Sequence, residues 1–190
     1  MLTNVIFMVA FVAANILTLL ALVSLWREKF QFWPPPSRQS WQYHTFWALF
    51  RIMFVGIVLL SFTDFRPASP GDFWWRYYLG GSFTVAGFLA AFLATHNLGW
   101  RNAHGEKKGL QTDGWYRWSR NPVYVVTIVG MGGWGLFVFS WRLWAILFLW
   151  SLLYVIAPFL EERWLSNQYG DAFLAYKREV PRFLGVPNIE

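Results

Sequence analysis

Apolar residues gather into five long runs, 3–26, 46–62, 77–93, 123–139 and 143–160, separated by polar or proline-rich breaks. Runs approaching 20 apolar residues are what a helix needs to cross a bilayer, so the pattern predicts five transmembrane helices. The second and third runs fall short of a full span at 17 residues each. Aromatic anchors at Trp47, Trp74, Trp75, Tyr77 and Tyr78 are expected to extend their ends into the interface. Pro34, Pro35 and Pro36 mark the first connection, and the turn-rich stretch 66–72 marks the second. The third connection, 94–121, is long. The fourth is only Ser140, Trp141 and Arg142, which makes the fourth and fifth helices antiparallel neighbours.

After the fifth run, Leu165, Tyr169, Phe173 and Tyr176 recur at a spacing that suits a short amphipathic helix. It is expected to lie on the membrane surface with Lys177 and Arg178 near anionic head groups, and to roof the space between helices four and five. The fold class is thus an all-α membrane protein, about five transmembrane helices and a C-terminal interfacial helix. Residues 1–190 are expected to form a single membrane domain. Its N-terminal part, 1–93, holds three transmembrane helices, and 94–190 holds a loop, a helical hairpin and a tail.

Composition strengthens the membrane reading: 56% of residues are hydrophobic, 22% aromatic and only 14% charged, against roughly 25% charged in an average soluble domain. With no cysteine, the chain has no disulfides, thiolate metal sites or cysteine nucleophile. The three histidines, His44, His96 and His104, are scattered among connections with no second ligand at helical spacing, so no metal site is expected. The first run has no basic leader or small-residue cleavage site and is expected to remain as a membrane helix.

Charge also orients the chain. The first connection carries Arg27, Lys29 and Arg38, the third carries Arg101, Lys107, Lys108, Arg117 and Arg120, and the tail carries Arg163, Lys177, Arg178 and Arg182. The other face holds Arg66, Arg76 and Arg142. By the positive-inside rule the N-terminus lies outside and the C-terminus in the cytoplasm. The net charge of +6 follows from this loop bias, and no nucleic-acid partner is expected.

Candidate chemistry sits at the cytoplasmic end of the hairpin. Glu161 and Glu162 follow the fifth run directly, where they would oppose the negative end of a helix dipole and call for compensation. Arg120, just before the fourth run, is the nearest cation, and the hairpin puts it at the same depth as Glu161 or Glu162. Each cluster has an ordinary reading as well: Asn121 and Pro122 suit a helix start, and Glu161-Glu162-Arg163 suits a solvated juxtamembrane run. Pro158 allows a bend or an early end of the fifth helix. Gly130, Gly132, Gly133 and Gly135 allow close approach by a neighbouring helix or by a ligand. Arg51, near the start of the second helix, either snorkels to the interface or meets an anionic group on a substrate.

In these residues the chain resembles the membrane methyltransferases that include isoprenylcysteine carboxyl methyltransferases and phospholipid methyltransferases. The resemblance covers roughly 90–185 and is carried by Leu98-Gly99, Leu110 through Gly114 to Tyr116, Arg120-Asn121-Pro122-Val123-Tyr124, Glu161-Glu162, Tyr169-Gly170, Tyr176 and Pro181-Arg182. Two positions depart from the family pattern: Asn121 stands where His is usual, and Val126 where Gly is common. The resemblance implies S-adenosylmethionine as methyl donor. It also implies cofactor-binding residues His96, Leu110, Gly114, Tyr116, Arg120, Asn121, Pro122, Tyr124, Glu161 and Glu162, with Arg120, Glu161 and Glu162 closest to the chemistry.

The acceptor implied is a lipophilic or small molecule, a prenylcysteine-like carboxylate, a phospholipid amine or a thiol, which reaches the site from the bilayer. The protein would reside in a bacterial inner membrane or an endoplasmic-reticulum-type membrane, with its site cytoplasmic and membrane lipids as its surroundings. Two alternatives stand beside this reading: a membrane reductase or isomerase related to the sterol reductases, and a non-catalytic membrane binding protein of the same fold.

Overall fold

The computed structural model describes residues 1–27, 29–69, 71, 73–99 and 109–185. Within them the chain forms α1 (Leu2–Trp26), α2 (Trp41–Thr63), α3 (Trp75–Leu98), a 3₁₀ turn (Gly114–Arg117), α4 (Pro122–Val138) and α5 (Trp141–Glu179), with no strand among the described residues. Arg101, His104, Lys107 and Lys108 of the third connection, and Pro70 and Asp72 of the second, lie outside the described residues. Four helices are long and apolar enough to cross a membrane, and α4 is a shorter apolar helix. The protein is an all-helical membrane protein.

Local chemistry sets the helix starts. The Ser40 hydroxyl accepts from the Tyr43 amide at 3.2 Å and the Ser140 hydroxyl from the Leu143 amide at 3.3 Å, each satisfying a donor that a first turn leaves open. Pro122 opens α4, where its missing N–H costs nothing. Helices α2 and α3 run past the predicted 46–62 and 77–93 at both ends, through interfacial Trp, Tyr and His residues that a hydrophobicity count leaves out.

The fifth helix differs most from expectation. It does not stop near Leu160 but continues through Pro158, Glu161 and Glu162 to Glu179. The Ser166 hydroxyl donates to the Glu162 carbonyl at 2.8 Å, a contact of continuing helix. The acids therefore lie inside a helix, and the dipole at a helix end is not what they oppose. The turn comes later, at Gly170, whose φ of 50° and ψ of −127° suit glycine. Beyond it, 171–179 folds back so that Phe173, Tyr176 and Val180 form a small second core with Tyr116.

Helices α1, α2 and α5 pack around one apolar core, while α3 lies chiefly on α4. A Cβ on Gly87 would sit 2.4 Å from the Gly130 nitrogen, one on Gly133 2.5 Å from the Thr84 nitrogen, and one on Gly80 2.7 Å from the Phe137 nitrogen. Backbone thus meets backbone along this seam, as membrane helices do when dispersion rather than water drives their association. Of the glycines singled out in the fourth run, Gly130 and Gly133 serve α3, a Cβ on Gly135 would come within 2.7 Å of the Trp144 indole, and Gly132 faces open space. Packing accounts for the first three.

Gly87→Val is accordingly expected to destabilise the fold by about 3 kcal/mol, since neither backbone can yield. Gly132→Ala should be neutral. Thermal unfolding of the two variants in detergent checks this, and equal melting of Gly87→Val and the parent would refute the seam.

At the end of the bundle away from the acids, Arg142 pairs with Asp64 at 3.1 Å and donates to the Asn4 amide oxygen at 2.9 Å. Buried Arg76 donates to the Phe137 carbonyl at 3.0 Å and lies over the Tyr77 and Phe139 rings. These bonds fasten α1, α2, α3 and the hairpin turn at that end, leaving the opposite end for the polar cluster.

Candidate active site

The hairpin brings the start of α4 beside the acid pair, and the two acids then diverge. Neighbours in a helix cannot face the same way. Glu162 is buried among cations: it pairs with Arg120 at 3.1 Å and Lys177 at 3.2 Å, and accepts from Arg182 Nε at 2.6 Å and Nη2 at 2.9 Å. The Arg182 fork is bidentate, the strongest geometry open to this pair. Burial lowers Arg120 from its ordinary value while the Glu162 charge counters it, and hydrogen bonding to Glu162 raises Arg182. Three cations around one carboxylate leave this corner positive.

Glu161 faces the opposite kind of surroundings. Its Oε1 accepts from the Trp33 indole N–H at 2.6 Å and from the Tyr124 hydroxyl. Both donors are neutral, and no cation among the described residues pairs with it. Trp33 is stacked on Phe46, centroids 4.3 Å apart, and Tyr124 lies against Tyr154 at 4.7 Å. The sequence left open which acid meets Arg120; the structure pairs Arg120 with Glu162 and gives Glu161 an aromatic, uncharged setting.

A C-terminal strap closes the corner. The Arg120 amide donates to the Pro181 carbonyl and the Asn121 side-chain amide to the Arg182 carbonyl, each at 2.9 Å. Asn121 thus fastens the strap from the position where the resembled family usually has His. The Tyr176 hydroxyl donates to the Tyr116 carbonyl at 2.7 Å, tying the folded-back segment to the 3₁₀ turn. Burial pushes the Tyr116 phenol well above its ordinary value, so it stays neutral.

Beneath the strap lies a cavity of about 390 Å³, within the range of small-molecule sites. Of the residues expected to bind a cofactor, Arg120, Asn121, Tyr124, Glu161 and Glu162 line it, as do Leu110 and Tyr116. Three do not. His96 is exposed on the last turn of α3, Gly114 opens the 3₁₀ turn against Asn97, and Pro122 is buried as the first residue of α4. His44 is also exposed, and the described residues hold no cluster of three metal-ligating side chains.

Several contributors were not singled out from the sequence. Arg182 and Lys177 complete the Glu162 cluster, and Trp33 reaches Glu161 from the proline-rich connection 128 residues away in sequence. The only sequence signal for Arg182 was its place in the Pro-Arg of the family pattern. Trp33 had none. Tyr169 and Phe173 of the tail also line the cavity, together with Phe46, Trp47 and Phe50 of α2. Trp47 and Phe50 also border a groove of about 230 Å³ along α2, lined by Arg51 as well.

No curated protein gave a significant match to the chain. The family model described as phospholipid methyltransferase matches residues 75–172. That stretch runs from α3 through the hairpin to just past the acid pair and Gly170, and so includes Arg120, Asn121, Tyr124, Glu161 and Glu162. With more than half of the chain matched and the matched helices converging on one cavity, the chain belongs to the phospholipid methyltransferase family and is a membrane methyltransferase.

Proposed function

We propose that the cavity binds S-adenosylmethionine and that the protein moves its methyl group to a lipophilic acceptor reaching the site from the bilayer. The observation that carries this is the separation of charge across one cavity: Glu161 has no cation of its own, while Arg120 keeps a buried Nε with no acceptor. A buried carboxylate and a buried guanidinium N–H each cost free energy when left unmatched. S-adenosylmethionine carries a sulfonium, an ammonium and a carboxylate, so its charges complement both groups. The residues present fit it.

In this reading Arg120 holds the carboxylate of the donor and Glu161 its cationic part, with Oε2 free of the two bonds that occupy Oε1. Tyr124, Trp33 and Tyr154 line the same cavity, and aromatic rings suit a cationic ligand. When bound, the donor supplies an electrophilic methyl on a cationic sulfur. The chain's part is to orient it, to hold the acceptor near the reacting carbon and to keep water out, effects that together supply much of the acceleration in a displacement needing no covalent help. Glu162 serves as the internal anion that keeps Arg120, Lys177 and Arg182 together. The division at about residue 93 then separates an N-terminal part that receives the acceptor from a C-terminal part that holds the donor. The loop charges support a cytoplasmic cavity and an N-terminus outside.

Calorimetry on the purified protein tests the proposal, with S-adenosylmethionine and NADPH as competing ligands. Binding of the first, weakened about tenfold or more in Arg120→Ala, is the expected result; binding of NADPH alone would favour a reductase. Labelled donor incubated with total lipid extract and small thiols then reads activity and acceptor class together.

A further inference from the structure

We infer that Ser24, on the last turn of α1, is a positioning residue for methyl transfer: it pins the connection between α1 and α2 so that Trp33 holds the Glu161 carboxylate in place, and the N-terminal part thereby completes the donor site. This rests on the reading of Glu161 as the partner of the donor's cation. Ser24 and Trp33 both lie outside 75–172, the stretch matched by the family model.

The segment 30–36 is neither helix nor strand, yet Phe32, Pro34 and Pro35 are buried. Buried backbone without secondary structure must find its hydrogen bonds elsewhere. Pro34, Pro35 and Pro36 bring no N–H of their own, so the chain just beyond Trp33 cannot be tied down by backbone donors. On the near side a single side chain makes the tie: the Ser24 hydroxyl donates to the Phe30 carbonyl at 2.8 Å and accepts from the Phe32 amide at 3.1 Å. The Gln31 side-chain amide donates to the Pro34 carbonyl at 2.6 Å and braces the chain around Trp33.

Ser24 is set apart by the direction of its bonds. A hydroxyl inside a helix commonly returns to the carbonyl four residues earlier, and Thr18, Ser61, Thr84 and Thr127 do so. Ser24 instead reaches forward, off its own helix, and it is buried where it does so. Next to the amide it holds stands Trp33, whose indole N–H donates to Glu161 Oε1 at 2.6 Å and whose ring stacks on Phe46. Phe32, itself fully buried, packs on Phe46 and Trp41. With backbone fixed by Ser24 and ring fixed by Phe46, the indole N–H is directed at the carboxylate. Loss of the hydroxyl releases Phe30 and Phe32 together, and a misplacement of about 1 Å in a positioning group is enough to weaken catalysis.

Indole N–H spectra of the isotope-labelled, full-length protein in nanodiscs test the geometric step with no methyl donor present, using Trp33→Phe to assign the resonance. A bond to a carboxylate draws an indole proton downfield. Ser24→Ala is expected to return the Trp33 resonance toward that of an unbonded indole, and Ser24→Thr, which keeps the hydroxyl, to leave it in place; an unmoved resonance in Ser24→Ala overturns the proposal. Kinetics with labelled donor test the second step. Ser24→Ala should raise KM for the methyl donor about fivefold with kcat nearly unchanged, since the donor's cation is present before transfer, and Ser24→Thr should restore the parent value. In a Trp33→Phe background Ser24→Ala should cost nothing further, because it acts through that indole. Losses that add, or a lower melting temperature at unchanged KM, would show that Ser24 only holds the fold, and either result overturns the proposal. Should Ser24→Ala fail to fold, Ser24→Cys, with a weaker bonding group at the same place, gives the same readings. A parent that binds no S-adenosylmethionine would refute the transfer reading alone, because the spectra decide without a donor whether Ser24 sets the contact between Trp33 and Glu161.

Discussion

Glu161→Gln is expected to lower kcat/KM for methyl transfer by about a hundredfold, ~3 kcal/mol of lost transition-state stabilisation, with little loss of fold stability. The substitution keeps the shape of the side chain and an oxygen that can still accept from Trp33 and Tyr124. What it removes is the carboxylate in the aromatic part of the cavity, the group that the proposed reading sets against the ligand's cation. Steady-state kinetics with labelled donor, beside a thermal melt of the same preparation, separates the two effects. Unchanged kcat/KM would remove Glu161 from the site. Trp33→Phe is the companion: losing one donor to Oε1 should cost about tenfold, because a hydrogen bond to a charged group contributes ~1.5 kcal/mol, and the ring stacked on Phe46 is retained.

Glu162→Ala should behave in the opposite way, as a stability mutation first. Removing one member of a buried ionic cluster costs about 3–5 kcal/mol because the remaining charges are left uncompensated. Here three cations would be left facing one another, and Arg182, whose backbone carbonyl anchors the strap to Asn121, would lose its bidentate partner. A fall of about 10 °C in melting temperature is expected on the scaling for a chain of this size. The sign of the pH dependence follows from Arg182: its value is raised in the folded state, so its stabilising contribution is complete at neutral pH and is lost only as pH rises through that raised value. If Glu162→Ala melts like the parent, the cluster is not what holds the strap. An Arg182→Ala variant should lose less, since Arg120 and Lys177 still neutralise Glu162.

These two acids show how far the sequence could be read. Their position after an apolar run, with Arg120 before the preceding run and three residues joining the runs, was enough to bring the clusters to one place. The roles could not be separated on paper, because the charges of adjacent residues look alike until the helix assigns them faces. The course of the fifth helix stayed open, since Pro158 allows a bend or an early end; in the structure α5 continues through it, with both acids partnered. His96 was implicated by family resemblance alone; it is exposed on the last turn of α3 and does not line the cavity. The glycines of the fourth run were legible as a site of close approach, but their partners Gly80 and Gly87 acquired meaning only when α3 was seen to run along them.

By itself the sequence determined the solvent, the number of helices, the hairpin and the chemical character of its end, because run length, loop length and charge are local properties that the bilayer and chain geometry act on directly. Tertiary structure alone decided that Trp33 reaches Glu161 and that Arg182 and Lys177 join Arg120 on Glu162. Those contacts join segments far apart in sequence. No local preference encodes them; they arise where separate helices are brought together by packing.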